Sequence, residues 1–147
     1  MEKVDRTYWE RAELFEFFSA VSHPFYSVTF RVDVTNLYRY VKERHLSFYY
    51  AMGYLVTDAV NSVKNFRYAI RDGEVWLLDE RIPSLTDLKP GSEQFHIVTL
   101  PKVGGIAEFC ASAQTRSAAQ KTLLDQDEEN DNLIYISCTP RSEERRV

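Results

Sequence analysis

The sequence predicts an α/β fold in which a mixed β-sheet is flanked by helices. Residues 67–79 are typical of a tight hairpin, because two apolar runs flank an Asp-Gly pair that supplies positive φ. After Ser47, apolar side chains recur at spacings of three and four, as in a helix packed on a sheet. Residues 26–34 alternate with a period of two, which is typical of a strand with one buried face. The chain has 147 residues, a single-domain length.

The N-terminal part is predicted to contain two short helices and the alternating strand. Residues 1–8 form a polar lead-in, and Trp9 to Ala20 is interpreted as a short helix before a bend at His23-Pro24. The buried face of the strand is predicted to carry Tyr26, Val28, Phe30, Val32 and Val34. Thr35 is a suitable N-cap for a second helix, whose apolar face comprises Leu37, Tyr40 and Val41.

The middle of the chain is predicted to contain a long helix, the hairpin and another strand. Ser47 is the expected N-cap of the helix, and its apolar stripe comprises Phe48, Met52, Leu55, Val56, Ala59 and Val63. The hairpin turn falls at Asp72-Gly73. Residues 80–93 hold two prolines and a glycine and are predicted to form a connection over the surface. Phe95 to Leu100 is predicted to be a short strand.

The C-terminal part is predicted to contain a long helix, an acidic loop and a last strand. The helix follows Gly104-Gly105, and its apolar side comprises Ile106, Phe109, Cys110, Ala113 and Leu124. The acidic run 125–131 lacks the glycine and the terminal glutamate of a calcium loop, so a solvated loop is predicted. Residues 133–138 are apolar and are predicted to be a strand buried on both faces. We assign residues 1–140 to one domain and residues 141–147 to a charged tail outside it.

Composition argues against several classes of protein. A hydrophobic content of 44% with 14% aromatic residues excludes a disordered chain. The net charge is -4 and no basic stripe is present, so nucleic-acid binding is not expected. No apolar run approaches a membrane span and the N-terminus is charged, so no membrane association or signal peptide is expected. Cys110 and Cys138 lack a metal-binding spacing, so we expect free thiols, no metal and a cytoplasmic protein.

Four short motifs follow one another along the chain. A Trp-x-Arg-x-x-x-Phe-Glu-Phe pattern starts at Trp9, and a Ser-x-Thr-x-x-Val-Asp-Val-Thr-x-Leu pattern starts at Ser27. The third motif is a helical segment that comprises Phe48, Tyr49, Tyr54, Leu55, Ala59 and Asn61. The fourth is an Arg-x-x-Ile hairpin with a late aspartate, and it comprises Arg67, Ile70 and Asp79. By these motifs, nearly the whole chain up to Pro140 resembles the chloramphenicol acetyltransferase family.

The resemblance implies the N-terminal part of the CoA-dependent acyltransferase fold and a trimeric assembly. It also implies acetyl transfer from acetyl-CoA, as co-substrate, to the hydroxyl of chloramphenicol or a similar xenobiotic alcohol, and hence antibiotic resistance. In the family, the general base is a histidine of a His-His-x-x-x-Asp-Gly motif near the C-terminus. This sequence contains no such motif. We therefore expect a truncated homologue that is inactive alone, and we assign no catalytic residue.

Three histidines, His23, His45 and His96, are the remaining candidates for a base. None has an acid at a motif spacing, so each is interpreted first as a surface histidine or a satisfied core histidine. His23 and His96 lie next to positions expected to line the acceptor pocket, which leaves a relocated base open for these two.

The resemblance also implies a set of acceptor-binding residues, which are Phe17, Phe18, Ser22, Pro24, Tyr26, Phe95 and Ile97. From physics alone, the aromatic members of this set are more often core packing than ligand contacts. The family counterpart of Arg11 pairs with the aspartate of the missing motif and has a structural role. We expect Arg11 to face solvent or to pair with an acid such as Glu13. Asn61 and Asp79 are interpreted as hydrogen-bonding residues at a helix end and a turn.

Three hypotheses follow. The first is a chloramphenicol acetyltransferase homologue without activity of its own, and the second is an acyltransferase that uses a relocated histidine. The third is a non-enzymatic binding or interaction protein that reuses the aromatic pocket. An unpaired apolar edge on the strand at 133–138 would favour aggregation, so we also expect marginal stability or oligomerisation.

Overall fold

The computed structural model describes residues 1–88, 91, 93–125 and 130–138. The described residues form four α-helices and six strands. In chain order these are β1 (Glu2–Lys3), α1 (Ala12–Ser19), α2 (Thr35–Glu43), α3 (Phe48–Ser62), β2 (Tyr68–Arg71), β3 (Glu74–Leu77), β4 (Ile82–Leu88), β5 (Phe95–Thr99), α4 (Ile106–Ala119) and β6 (Leu133–Ile136). A single 3₁₀ turn, Lys64–Arg67, connects α3 to β2.

The strands form two three-stranded sheets. The hairpin sheet has the order β1-β3-β2 and is antiparallel throughout. The mixed sheet has the order β5-β4-β6, in which β4 is antiparallel to β5 and parallel to β6. The prediction of an α/β fold with a mixed sheet and flanking helices is therefore confirmed.

The predicted hairpin is the local feature that the sequence located best. Strands β2 and β3 pair from Tyr68↔Leu77 to Arg71↔Glu74. Asp72 and Gly73 both have positive φ, 52° and 76°. Two successive left-handed residues are what a two-residue hairpin loop requires, because their twist matches that of the strands.

The hydrophobic core lies between the mixed sheet and helices α2, α3 and α4. Its buried side chains are Val41, Tyr50, Ala51, Leu85, Val98, Leu100, Phe109, Cys110 and Ala113. The predicted cap of α3 is present, because the Ser47 hydroxyl accepts a hydrogen bond from the Tyr50 amide at 3.3 Å. Gly53 lets α3 approach the sheet closely, since a Cβ there would lie 2.9 Å from a methyl carbon of Leu85.

Strand β4 corrects the prediction that residues 80–93 cross the surface. It is the central strand of the mixed sheet, and Pro83, Ser84 and Leu85 are buried. Pro83 is the second residue of β4 and lies one position outside the β4–β5 ladder, where its carbonyl accepts from the Leu100 amide at 2.9 Å. Because of the proline and the polar residues after it, this segment lacks the apolar pattern by which a buried strand is predicted from sequence.

Two details of the helices also differ from prediction. Thr35 is the first residue of α2 and not its N-cap, which is Val34. The Asp33 side chain instead accepts a hydrogen bond from the Thr35 amide. Helix α3 buries Tyr50, Ala51, Gly53 and Thr57 rather than the predicted stripe, of which Phe48, Leu55, Val56 and Val63 are exposed. Small residues on the true buried face allow close packing, which a count of large apolar residues misses.

The alternating segment 26–34 is the clearest failure of the sequence argument. Residues 24–34 have no regular secondary structure, and no described strand pairs with them. The exposed fraction is 89% for Tyr26, 67% for Val28 and 76% for Phe30. A half-buried strand needs a ladder partner and a layer over its apolar face, and the described part of the chain supplies neither.

The C-terminal predictions were correct in part. Residues 133–136 form β6, but it is not buried on both faces, since Tyr135 is 66% exposed. Helix α4 ends at Ala119, so Leu124 lies outside it. Most of the acidic run, residues 126–129, and the tail 141–147 lie outside the described residues. None of the helices that the structure describes has the length and hydrophobicity needed to cross a bilayer.

Asn61 and Arg81 join the two sheets to α3. The Asn61 amide group donates to the Arg81 carbonyl at 3.0 Å, and its oxygen accepts from the Arg81 amide at 2.6 Å. The Arg81 guanidinium donates to the carbonyls of Phe66, Tyr68 and Asp131. This clamp agrees with the interpretation of Asn61 as a hydrogen-bonding residue near a helix end.

Candidate functional site

An aromatic cavity of about 340 Å³ lies between α1 and β2, and we call it the α1–β2 cavity. This volume lies within the range of small-molecule sites. Its lining comprises Trp9, Arg11, Leu14, Phe15, Phe18, Ser19, Pro24, Asn65, Tyr68 and Ile70. The lining is predominantly apolar and aromatic, so the cavity suits a flat apolar ligand.

Helical spacing and ring contacts build the cavity. Leu14, Phe15, Phe18 and Ser19 lie on one face of α1 because they recur at spacings of one, three and four. The ring of Trp9 packs edge-on against Tyr68, with centroids 5.2 Å apart, and lies 5.9 Å from Phe15. The Trp9 indole also donates a hydrogen bond to the Tyr68 hydroxyl oxygen at 3.3 Å. These contacts hold α1 against the hairpin sheet.

The cavity contains one charged side chain, Arg11. Arg11 is exposed and forms no ion pair or side-chain hydrogen bond with the described residues, Glu13 included. The sequence argument allowed either a solvent-facing Arg11 or a substitute acid, and the structure has the solvent-facing arrangement. A free guanidinium can bind an oxygen anion through two parallel hydrogen bonds.

The cavity includes two of the seven residues predicted to bind the acceptor, Phe18 and Pro24. Phe17 is 65% exposed and does not line the cavity, and its ring packs edge-on against Phe18 with centroids 5.2 Å apart. Ser22 is exposed and contacts His23, and Tyr26 is 89% exposed.

The two predicted residues on β5 lie elsewhere. Phe95 lines a different cavity together with Glu93, Gln94, Lys121 and Leu123. Ile97 is half-buried, and its backbone binds the Leu123 carbonyl and the Gln120 side chain. The structure therefore does not bring the predicted acceptor residues into one cavity.

None of the three histidines lines the α1–β2 cavity. His23 is exposed and lies next to Pro24 in sequence, and His45 is an exposed residue with φ of 53° after α2. His96 is 1% exposed on β5. Because a general base must reach the substrate hydroxyl, the buried His96 is unsuited to that role in this arrangement.

His96 belongs to a buried polar network that sequence reasoning did not identify. The Tyr50 and Ser117 hydroxyls both donate to the same oxygen of Asp87, the latter at 2.6 Å. Since Ser117 uses its proton there, its oxygen accepts from the His96 Nε2–H at 2.8 Å. The His96 Nδ1 atom is buried and has no partner among the described residues. Four residues from α3, β4, β5 and α4 thus meet, which no sequence spacing could indicate.

The network perturbs the ionisation of its members. Burial raises the pKa of Tyr50 to about 12, with a further contribution from its hydrogen bond to Asp87. Burial also raises the pKa of neighbouring Tyr49 to about 12. Burial alone would raise the pKa of Asp87, but hydrogen bonds, led by those from Ser117 and Tyr50 and joined by that from the Leu88 amide, help to hold that pKa below its ordinary value. The network therefore favours an ionised Asp87 and neutral tyrosines.

The described residues bring together no three histidine, cysteine, aspartate or glutamate side chains as a possible metal site. The two cysteines are free thiols, and burial raises the pKa of Cys110. The α1–β2 cavity contains two of the residues predicted to bind the acceptor, so we take it as the candidate binding site.

Comparison with known proteins places these features in a family. A family model described as chloramphenicol acetyltransferase matches residues 1–143. A chloramphenicol acetyltransferase of Clostridium perfringens is 39% identical over 95 residues, which are 64% of this chain and 44% of that protein. Chloramphenicol acetyltransferase 3 of Escherichia coli is 30% identical over 141 residues, which are 94% of this chain and 66% of that protein.

A solved structure of a chloramphenicol acetyltransferase has the same fold. It superposes with a TM-score of 0.79 at 26% identity, over 95% of this chain and 70% of that one. The chain spans less than two thirds of the length of the two curated relatives above. The family model covers nearly all of the chain, and the chain belongs to the chloramphenicol acetyltransferase family.

Proposed function

We propose that this chain is the acceptor-binding part of a chloramphenicol acetyltransferase. It binds chloramphenicol or a similar aromatic alcohol in the α1–β2 cavity but does not transfer an acetyl group by itself. One observation carries the proposal: the cavity combines aromatic walls with two of the residues predicted to bind the acceptor, Phe18 and Pro24, and no histidine lines it. The family membership supplies the reaction, and the cavity supplies the part of it that this chain performs.

The proposed inactivity rests on the chemistry of the hydroxyl group. An alcohol is a weak nucleophile at neutral pH, so acetyl transfer needs a base of suitable pKa within hydrogen-bond reach. The buried His96 is engaged with Ser117, and the exposed His23 and His45 do not line the cavity. Binding needs only the aromatic walls, so binding and turnover are separable in this chain.

Several properties of the family belong to the same proposal. Acetyl-CoA is the proposed co-substrate, and a trimer is the proposed assembly. We also propose that the protein acts in antibiotic resistance and is located in the cytoplasm. A base supplied by another subunit would suit a chain that provides walls of an acceptor site and no base.

The first experiment measures binding and turnover on the same folded protein. Trp9 lines the cavity, so its fluorescence should change when chloramphenicol binds. The second tryptophan, Trp76, lies on β3 outside the lining, and Trp76→Phe leaves Trp9 as the only tryptophan. Turnover is followed as thiol release from acetyl-CoA with and without chloramphenicol. The proposal predicts saturable fluorescence quenching without acceptor-dependent thiol release.

The other outcomes separate the alternatives. Absence of any chloramphenicol binding to the folded chain would refute the proposal. Acceptor-dependent thiol release would refute the inactivity. His23→Ala then tests the relocated base, because His23 is the histidine nearest in sequence to a cavity residue, Pro24. His45→Ala is the matched control, since His45 is an exposed histidine beyond α2.

A further inference from the structure

We infer that the α1–β2 cavity accepts flat aromatic molecules that carry a carboxylate, and that Arg11 is the residue that binds this anion. The inference rests on the proposed function, because it uses the same cavity and refines its ligand class. It differs from that function in charge, since chloramphenicol is a neutral alcohol. The argument depends on the polar atoms that face an otherwise apolar site.

Arg11 sets the charge of the cavity. It is the only one of the ten lining residues that carries a full charge at neutral pH. Its guanidinium has no ion pair or hydrogen bond with the described residues, and Glu10 and Glu13 are exposed and do not line the cavity. A cation that pairs with none of the described acids, at the side of an apolar cavity, favours an anionic ligand.

The neutral polar groups of the lining add hydrogen-bond donors. The Tyr68 hydroxyl oxygen accepts from Trp9 at 3.3 Å, while its own proton has no acceptor in the described part of the chain. Asn65 also lines the cavity, and its amide has no hydrogen-bond partner among those residues. Ser19 is already committed, since its hydroxyl donates to the Phe15 carbonyl. The groups free to bind a ligand are thus mainly donors, which suits a carboxylate.

The aromatic walls define the rest of the ligand. The Trp9 ring contacts the rings of Phe15 and Tyr68, and Phe18 completes the aromatic surface. Such surfaces bind planar rings by stacked or edge-on contacts. Because Arg11 is exposed and water screens its charge, we expect the carboxylate to improve affinity only about two- to fivefold.

The test compares two probes that share one aromatic ring system. Naphthoate carries a carboxylate, and naphthylmethanol is a neutral counterpart of similar size. Their affinities are measured by Trp9 fluorescence in the Trp76→Phe background, together with that of chloramphenicol. The expected result is naphthoate binding about two- to fivefold tighter than naphthylmethanol. Arg11→Gln should abolish this preference and leave naphthylmethanol affinity within about twofold.

Arg39→Gln is the matched control, since it removes the same charge from an exposed position on α2 that does not line the cavity. It should retain the preference for naphthoate. Circular dichroism verifies that each variant is folded. Equal affinities for the two probes, or a preference that survives Arg11→Gln, would overturn the inference while chloramphenicol binding still supports the proposed function. Absence of binding by all three compounds would overturn both.

Discussion

Removing the Asp87 carboxylate should destabilise the fold more than any other single change in the polar network. The carboxylate accepts hydrogen bonds from Tyr50, which is 7% exposed, and from Ser117, which is 8% exposed. Each hydrogen bond to a charged group contributes about 1.5–3 kcal/mol. Asp87 itself is half-buried, so water partly replaces the lost acceptor in Asp87→Ala. We therefore expect a loss of about 2–4 kcal/mol in the free energy of unfolding.

Urea denaturation measures this loss, and Asp87→Asn is the matched variant. The amide keeps the shape and one acceptor oxygen but removes the charge, so its loss should be about 1 kcal/mol. A loss below about 1 kcal/mol for Asp87→Ala would refute the network as a source of stability. Equal losses for the two variants would show that charge, rather than hydrogen-bond acceptance, is the important property.

The pH dependence gives an independent test of the same residue. The pKa of Asp87 in the folded protein lies below its ordinary value of 3.8. A depressed carboxyl pKa stabilises the fold above that ordinary value, and the contribution is lost as the pH falls through the folded-state pKa. The wild-type protein should therefore lose stability below about pH 4 more steeply than Asp87→Asn. Parallel pH profiles of the two proteins would contradict this assignment.

Three further predictions concern the interior of the protein. Gly53→Ala should lower the free energy of unfolding by about 1 kcal/mol, because the new methyl group's contact with the buried Leu85 side chain outweighs the gain in helix propensity. An unchanged urea midpoint would contradict this. Ser84→Ala should leave the free energy of unfolding unchanged or raise it by up to about 1 kcal/mol, since the buried Ser84 hydroxyl has no partner among the described residues; a loss above that amount in the same assay would contradict it. Tyr49 and Tyr50, whose pKa values burial raises to about 12, should ionise last in an ultraviolet titration. The free energy of unfolding should fall as the pH rises from 10 towards 12. Ionisation of all nine tyrosines near pH 10 with the fold intact would contradict this.

Local signals in the sequence predicted those elements whose conformation is set within a few residues. Asp72-Gly73 located the hairpin because its two left-handed residues are a property of the turn itself. Ser47 located the start of α3 because its hydroxyl binds an amide only three residues away. The short motifs that follow one another from Trp9 onward likewise indicated the family, because each motif can be recognised within a few residues.

The predictions that failed concern elements whose conformation depends on neighbours distant in sequence. Strand β4 was missed because Pro83 breaks the pattern of a strand, and only the tertiary structure shows that this proline lies near the start of the strand, one position outside the β4–β5 ladder. Residues 26–34 have the alternation of a strand, but alternation supplies neither a ladder partner nor a covering layer. The buried face of α3 was misassigned because Gly53 and Thr57 are small, and small residues are where α3 comes closest to the sheet.

The candidate site likewise has a part that the sequence predicted and a part that only the tertiary structure decided. The sequence by itself predicted the short helix that carries Phe18, and the family resemblance named Phe18 and Pro24 among the residues that line the cavity. Only the tertiary structure decided that Tyr68 and Ile70 of β2 close the cavity against α1, and that Phe95 lies elsewhere. The tertiary structure also buries His96, which the sequence left open as a possible general base, and so makes it unsuited to that role. Burial and a hydrogen bond to Ser117 are properties of packed elements, and they arise from contacts that no single segment contains.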